Sequence, residues 1–114
     1  MYQQVWQRYL PVIRIVMKRA LSSGDQVLPL NAPDFERIGL TRKSGYKFEI
    51  GLANGKLRNV IVDVPLASAL AQVLLEDATV QSLIQEREFV ISLSPRYELS
   101  IRHIAHTTVP NEGE

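Results

Sequence analysis

Cysteine is missing from all 114 residues. Disulfides, thiolate nucleophiles and cysteine-based zinc sites are therefore excluded, and a reducing cytoplasm is the expected setting. Histidine is nearly as scarce, with only His103 and His106. Three residues apart on a strand, they point to opposite faces. Zinc needs three or four ligands, so no metal centre is expected, and no spaced aspartates resemble a calcium loop. No apolar run approaches the ~20 residues needed to span a bilayer, so no membrane association is expected. Residues 1–8 show none of the basic-then-apolar layout of a signal peptide. Motifs that carry chemistry are missing too. There is no Gly-x-Ser-x-Gly elbow and no glycine-rich phosphate loop closing on Gly-Lys-Ser/Thr. The chain thus reads as non-enzymatic, with no cofactor.

What remains is ordinary for a small soluble domain: 46% hydrophobic and 22% charged residues, enough for one core and too short to divide. A single domain over 1–104 and a frayed polar tail over 105–114 are expected. The net charge of +1 hides an asymmetry. Residues 1–60 hold ten Lys or Arg against four acids, and residues 61–114 hold three Arg against eight. Such a division steers an anionic partner or favours contact between unlike ends of two molecules.

The clearest local signal is Tyr46–Asp63, where Asn54-Gly55 separates two alternating runs. Asn and Gly tolerate the positive φ that both central residues of a tight hairpin turn need. A two-residue loop sets Leu52 opposite Leu57, Ile50 opposite Asn59 and Phe48 opposite Ile61. The other face then carries Lys47, Glu49, Lys56, Arg58, Val60 and Val62. Asn59 is the misfit on an otherwise apolar face.

Trp6, Leu10, Ile13, Met17 and Leu21 recur at helical spacing, predicting a helix over 2–21 that is kinked or restarted at Pro11 and stopped by Gly24. Residues 26–30 read as a short extended piece, and 31–37 as one helical turn capped by Asn31, with Phe35 and Ile38 anchoring it. An ordered loop or an edge strand at 37–42 follows. Pro65 opens a helix whose stripe is Leu66, Leu70, Val73 and Leu74, and Asp77 caps a second helix over 78–85. A second hairpin spans Phe89–Ile104. A three-residue loop, Ser94-Pro95-Arg96, pairs Leu93 with Tyr97, Ile91 with Leu99 and Phe89 with Ile101. The fold class is α+β: an antiparallel sheet of four or five strands covered on one face by the N-terminal helix and the helix pair.

Two surfaces are candidates for function. Arg42, Lys43, Lys47, Lys56 and Arg58 gather on or beside the wet face of the first hairpin, where they suit a phosphate backbone. The order of hairpins and helices loosely resembles Pur-type and Whirly-type single-strand-binding domains, without a motif of either, and that resemblance implies a single-stranded nucleic-acid binder. Trp6 and Tyr9 are aromatic residues of the kind favoured at interface centres and mark a possible self-association surface. The leading expectation is a non-enzymatic interaction domain with a protein partner or a second copy. The alternative is a nucleic-acid binder.

Overall fold

Helical spacing of apolar residues near the N-terminus gives a first helix, α1 (Tyr2–Ser23), which buries Val5, Trp6, Leu10, Ile13, Val16, Met17 and Ala20. The computed structural model describes residues 2–39, 47–60 and 65–105. After α1 come β1 (Gln26–Pro29), α2 (Ala32–Glu36), β2 (Phe48–Ala53), β3 (Lys56–Val60), α3 (Pro65–Leu75), α4 (Ala78–Glu86), β4 (Arg87–Leu93) and β5 (Glu98–Ala105). Among the described residues no helix is long and apolar enough to cross a membrane.

Pro11 does not divide α1. It lies on the exposed side next to exposed Gln7. The Gln7 carbonyl that loses its helical donor therefore faces solvent, where water satisfies it. Gly24 ends the helix at φ +89°, and its N–H donates to the Ala20 carbonyl at 3.0 Å.

The strands form one antiparallel sheet in the order β1-β5-β4-β2-β3. All the helices contribute to a single core with one face of that sheet, built from Phe48, Ile50 and Leu52 of β2, Phe89, Ile91 and Leu93 of β4, and Leu99 and Ile101 of β5. The expected α+β class and the one-sided helix cover are what the structure has. The extended piece at 26–30 supplies the fifth strand, at the edge, where Pro29 has a neighbour on one side only.

Register departs from expectation at both hairpins. Asn54 and Gly55 take the positive φ values of +55° and +74°, and Leu52 faces Leu57. One step on, the pairing slips: Gly51 faces Asn59 and Ile50 faces Val60, leaving Arg58 as the extra residue of a β-bulge. An inserted residue inverts everything after it. In the register the bulge thus moves Asn59 from the position opposite Ile50 to the one opposite Gly51.

In the second hairpin the pairs are Leu93 with Leu99, Ile91 with Ile101 and Phe89 with His103, two residues beyond the expected partners. The loop is Pro95-Arg96-Tyr97. The Tyr97 N–H donates to the Ser94 carbonyl at 3.1 Å, the Ser94 N–H to the Glu98 carbonyl at 3.0 Å, and Tyr97 closes the turn at φ +59°. That places Pro95 at the second turn position, which its fixed φ suits. A shift of two keeps both apolar sets on the core face, so the expected faces hold while the partners change.

Capping follows the sequence at one helix and not at another. Asp77 caps α4, accepting the Val80 N–H at 3.1 Å. Asn31 precedes α2 without a side-chain cap. Its carbonyl accepts the Asp34 N–H, and its own N–H donates to the Tyr9 hydroxyl.

Candidate interaction surface

With every helix on one side, the other face of the sheet is uncovered among the described residues, and strand alternation decides what it presents. Glu98, Ser100, Arg102 and Ile104 alternate with the core residues of β5. Glu88, Val90 and Ser92 do so on β4, Glu49 and Gly51 on β2, and Val27 on β1. Val27 is 60% exposed and Ile104 53%, the highest values among the large apolar side chains with Ile15 between them. The centre is small, with Ser92 opposite both Ser100 and Glu49, and Val90 opposite both Arg102 and Gly51.

Charge on this face is placed with care. Ser92 Oγ donates to Glu49 Oε1 at 3.2 Å, fixing that carboxylate on the sheet. Arg102 is exposed and lies one strand to the other side of β4. Strand spacing and rise put the two Cα atoms about 12 Å apart, and among the described residues no ion pair joins them. No aromatic side chain stands on this face among the described residues, because Phe48, Phe89 and Tyr97 are all buried in the core.

Of the expected basic group, Lys47, Lys56 and Arg58 are exposed; Arg42 and Lys43 lie outside the described residues. Lys56 follows the turn and Arg58 occupies the bulge on the outermost strand, so the two sit at the margin of the sheet. Trp6 is wholly buried. Its Nε1 donates to the Leu66 carbonyl at 3.0 Å, and its ring meets Phe35 at 5.5 Å and Phe48 at 6.3 Å. Tyr9 is partly buried and stacks on Phe35, while its hydroxyl donates to Asp34 Oδ2 at 2.7 Å. Both residues expected at a self-association surface thus weld α1 to the core and to α2.

The remaining polar clusters link elements of the fold. Asp34 also receives Arg8 at 3.0 Å, with Arg37 at 3.9 Å. Hydrogen bonding from Tyr9 first, then the arginine charges, hold its carboxyl below the usual carboxylate range against the effect of burial. A cleft of about 320 Å³ beside it is lined by Arg8, Asp34, Arg37 and Ile38 with Gln4 and Val5. A second, apolar groove of about 390 Å³ runs between Leu57 and the α3 residues Ala71 and Leu75. His103 joins the core face at its rim beside Phe89, with ring centroids 6.2 Å apart. His106 lies outside the described residues, and among those described no three potential metal ligands come together.

Comparison with known proteins adds no function. No family model matches the chain, and no match emerges with the curated proteins or with the solved structures compared.

Sequence reasoning overlooked Arg102 and gave Glu49 no role beyond the wet face of a hairpin. Alternation along 98–104 marks Arg102 as off the core face. What it does not give is the adjacency of β2 to β4, which brings Glu49 and Arg102 to one surface.

Proposed function

We propose that this protein is a non-enzymatic binding domain that engages a protein partner through the open face of its sheet. One observation carries the reading: all helices pack on one side, leaving a face with Gly51, Val90, Ser92 and Ser100 at its centre and Val27, Ile104, Glu49 and Arg102 around them. Antiparallel sheets tolerate one solvated face. Val27 and Ile104 add exposed apolar surface on the β1–β5 side of it.

Site-specific photo-crosslinking tests this in the source cells. A photoreactive residue at Val27 or Ile104 yields covalent protein adducts, whereas one at Gln7 or Lys18, on the outer side of α1, yields none. Adducts from the helix side alone, or none from the sheet side, overturn the reading. The exposed Lys47, Lys56 and Arg58 support a second reading, single-stranded nucleic acid. That reading requires oligonucleotide binding that weakens steeply with added salt, and it fails if no binding occurs at low salt.

A further inference from the structure

We infer that the cleft between α1 and the end of α2 binds a small organic carboxylate, its oxygens held by Arg8 and Arg37 and its short apolar body lying against Val5 and Ile38. The site belongs to the helix side of the molecule and owes nothing to the open sheet face.

Three observations converge on it. The first is that one internal anion gathers two cations. Arg8 Nη2 lies 3.0 Å and Arg37 Nη1 3.9 Å from the same Asp34 Oδ1. The two nitrogens are therefore within about 7 Å of each other, a gap that the two oxygens of one bound carboxylate bridge with charge-assisted hydrogen bonds. Asp34 does not satisfy both arginines. Its Oδ2 accepts from the Tyr9 hydroxyl and its Oδ1 from Arg8, while Arg37 at 3.9 Å makes an ion pair without a hydrogen bond. Arg8 reaches Asp34 through Nη2 alone. Both guanidinium groups thus keep donors without a protein acceptor among the described residues, and their side chains are 59% and 67% exposed.

Two guanidinium groups against one carboxylate leave the cleft cationic. α2 carries one further charge, Glu36, and helical spacing turns it away. Arg37 and Ile38 lie three and four residues from Asp34 and share its side, whereas Glu36, two residues on, does not line the cleft.

The second observation is the make-up of the walls. Each helical segment supplies one arginine and one aliphatic residue, Val5 with Arg8 from α1 and Ile38 with Arg37 after α2, and Gln4 adds an amide. A fully hydrated inorganic anion gains nothing from the aliphatic pair, so the walls select an amphiphile over free phosphate. A volume of about 320 Å³ is at the small end of ligand sites and suits a short-chain molecule.

The third is preorganisation. Tyr9 stacks on Phe35 and fixes Asp34 through its hydroxyl at 2.7 Å. The carboxylate that gathers the arginines is itself held by the core, so less freedom is lost when a ligand arrives.

A heteronuclear NMR titration of the full chain with hexanoate tests this. Saturable shifts centre on the amides of Val5, Arg8, Arg37 and Ile38, with a dissociation constant on the order of 1 mM for so small a ligand. Inorganic phosphate, which lacks the apolar body, and 1-hexanol, which lacks the charge, each bind at least ~10-fold more weakly. Arg37→Gln removes a guanidinium that makes no hydrogen bond within the fold and weakens hexanoate at least ~10-fold, with circular dichroism showing the fold kept. Glu36→Gln leaves the affinity within about 2-fold. Shifts that scatter over the surface or never saturate overturn the inference. So does phosphate or hexanol binding as tightly as hexanoate, or an Arg37→Gln variant that binds like wild type.

Discussion

Asp77 is where removing one side chain separates two kinds of stabilisation. Its carboxylate accepts the Val80 N–H at 3.1 Å, capping α4. It also receives Arg14 of α1, with Nε 3.1 Å from both oxygens and Nη2 closer still to Oδ1. One residue thus closes the N-terminus of α4 and ties it to α1, 63 positions away in sequence. Asp77→Ala removes both, and the cap alone is worth about 1–2 kcal/mol. An unfolding entropy of about 2.1 cal/mol/K per residue gives roughly 0.24 kcal/mol/K for a chain of this length, so Tm falls by ~4–8 °C. Asp77→Asn keeps a competent cap and loses only the charge, so its loss is smaller. Arg14's hydrogen bonds hold the Asp77 carboxyl below its ordinary range, against the effect of burial. A lowered carboxylate adds stability that is complete above the unfolded pKa of about 3.9 and disappears as pH falls through the folded value. The gap between wild type and Asp77→Asn is therefore flat from neutral pH down to about 5 and closes below about 4. Thermal melts followed by circular dichroism across that range measure it. If Asp77→Ala melts with wild type, or if the Asp77→Asn gap is unchanged in acid, the double role is wrong.

Three further outcomes can be measured in the same way. Gly55 sits at φ +74°, and a Cβ there meets Gln81 Oε1 at 2.9 Å, so Gly55→Ala lowers stability by ~1–2 kcal/mol in urea unfolding; Gln81→Ala added to it brings no recovery, because it also deletes the hydrogen bonds that Gln81 donates to the Gly55 and Leu75 carbonyls. Trp6→Phe deletes the buried hydrogen bond to Leu66 and leaves a void among Phe35 and Phe48, costing ~2 kcal/mol or more. Burial and the hydrogen bond to Asp34 raise the Tyr9 pKa. In an ultraviolet titration this phenol ionises above the ordinary tyrosine range; Tyr9→Phe abolishes that step, costs ~1 kcal/mol and raises the apparent pKa of Asp34, whose lowering Tyr9 dominates.

Legibility in the sequence tracked how local each cause was. Asn54-Gly55, the Asp77 cap and Gly24 act within four residues of themselves, and each does what its type and place imply. The bulge at Arg58 leaves no such mark, because neither Arg58 nor Asn59 is a residue that bulges require. Pro95 was legible as a turn residue, but the register depended on Tyr97 accepting a left-handed backbone while its side chain joined the core beside Phe35. Asn31 looked like a cap, but Pro33 has no N–H to offer its side chain and the Asp34 N–H goes to the Asn31 carbonyl instead. The interaction surface was the least legible, since Glu49 and Arg102 share a face only through the β2–β4 pairing, which no turn dictates.

The strand order also sets a timetable for synthesis. α1 is made first, yet it packs against β5 and β1, and β1 pairs only with β5, the last element described. β4, the middle of the sheet, likewise appears only after both helices of the central pair. Until the last hairpin emerges, α1 lacks β5 to pack against, and β2 lacks its inner neighbour. Contacts of such long sequence separation form slowly, and exposed apolar surface in the interval invites aggregation. A stalled nascent chain ending near Glu86 should therefore be a chaperone client, and one carrying β5 beyond the exit tunnel should be released.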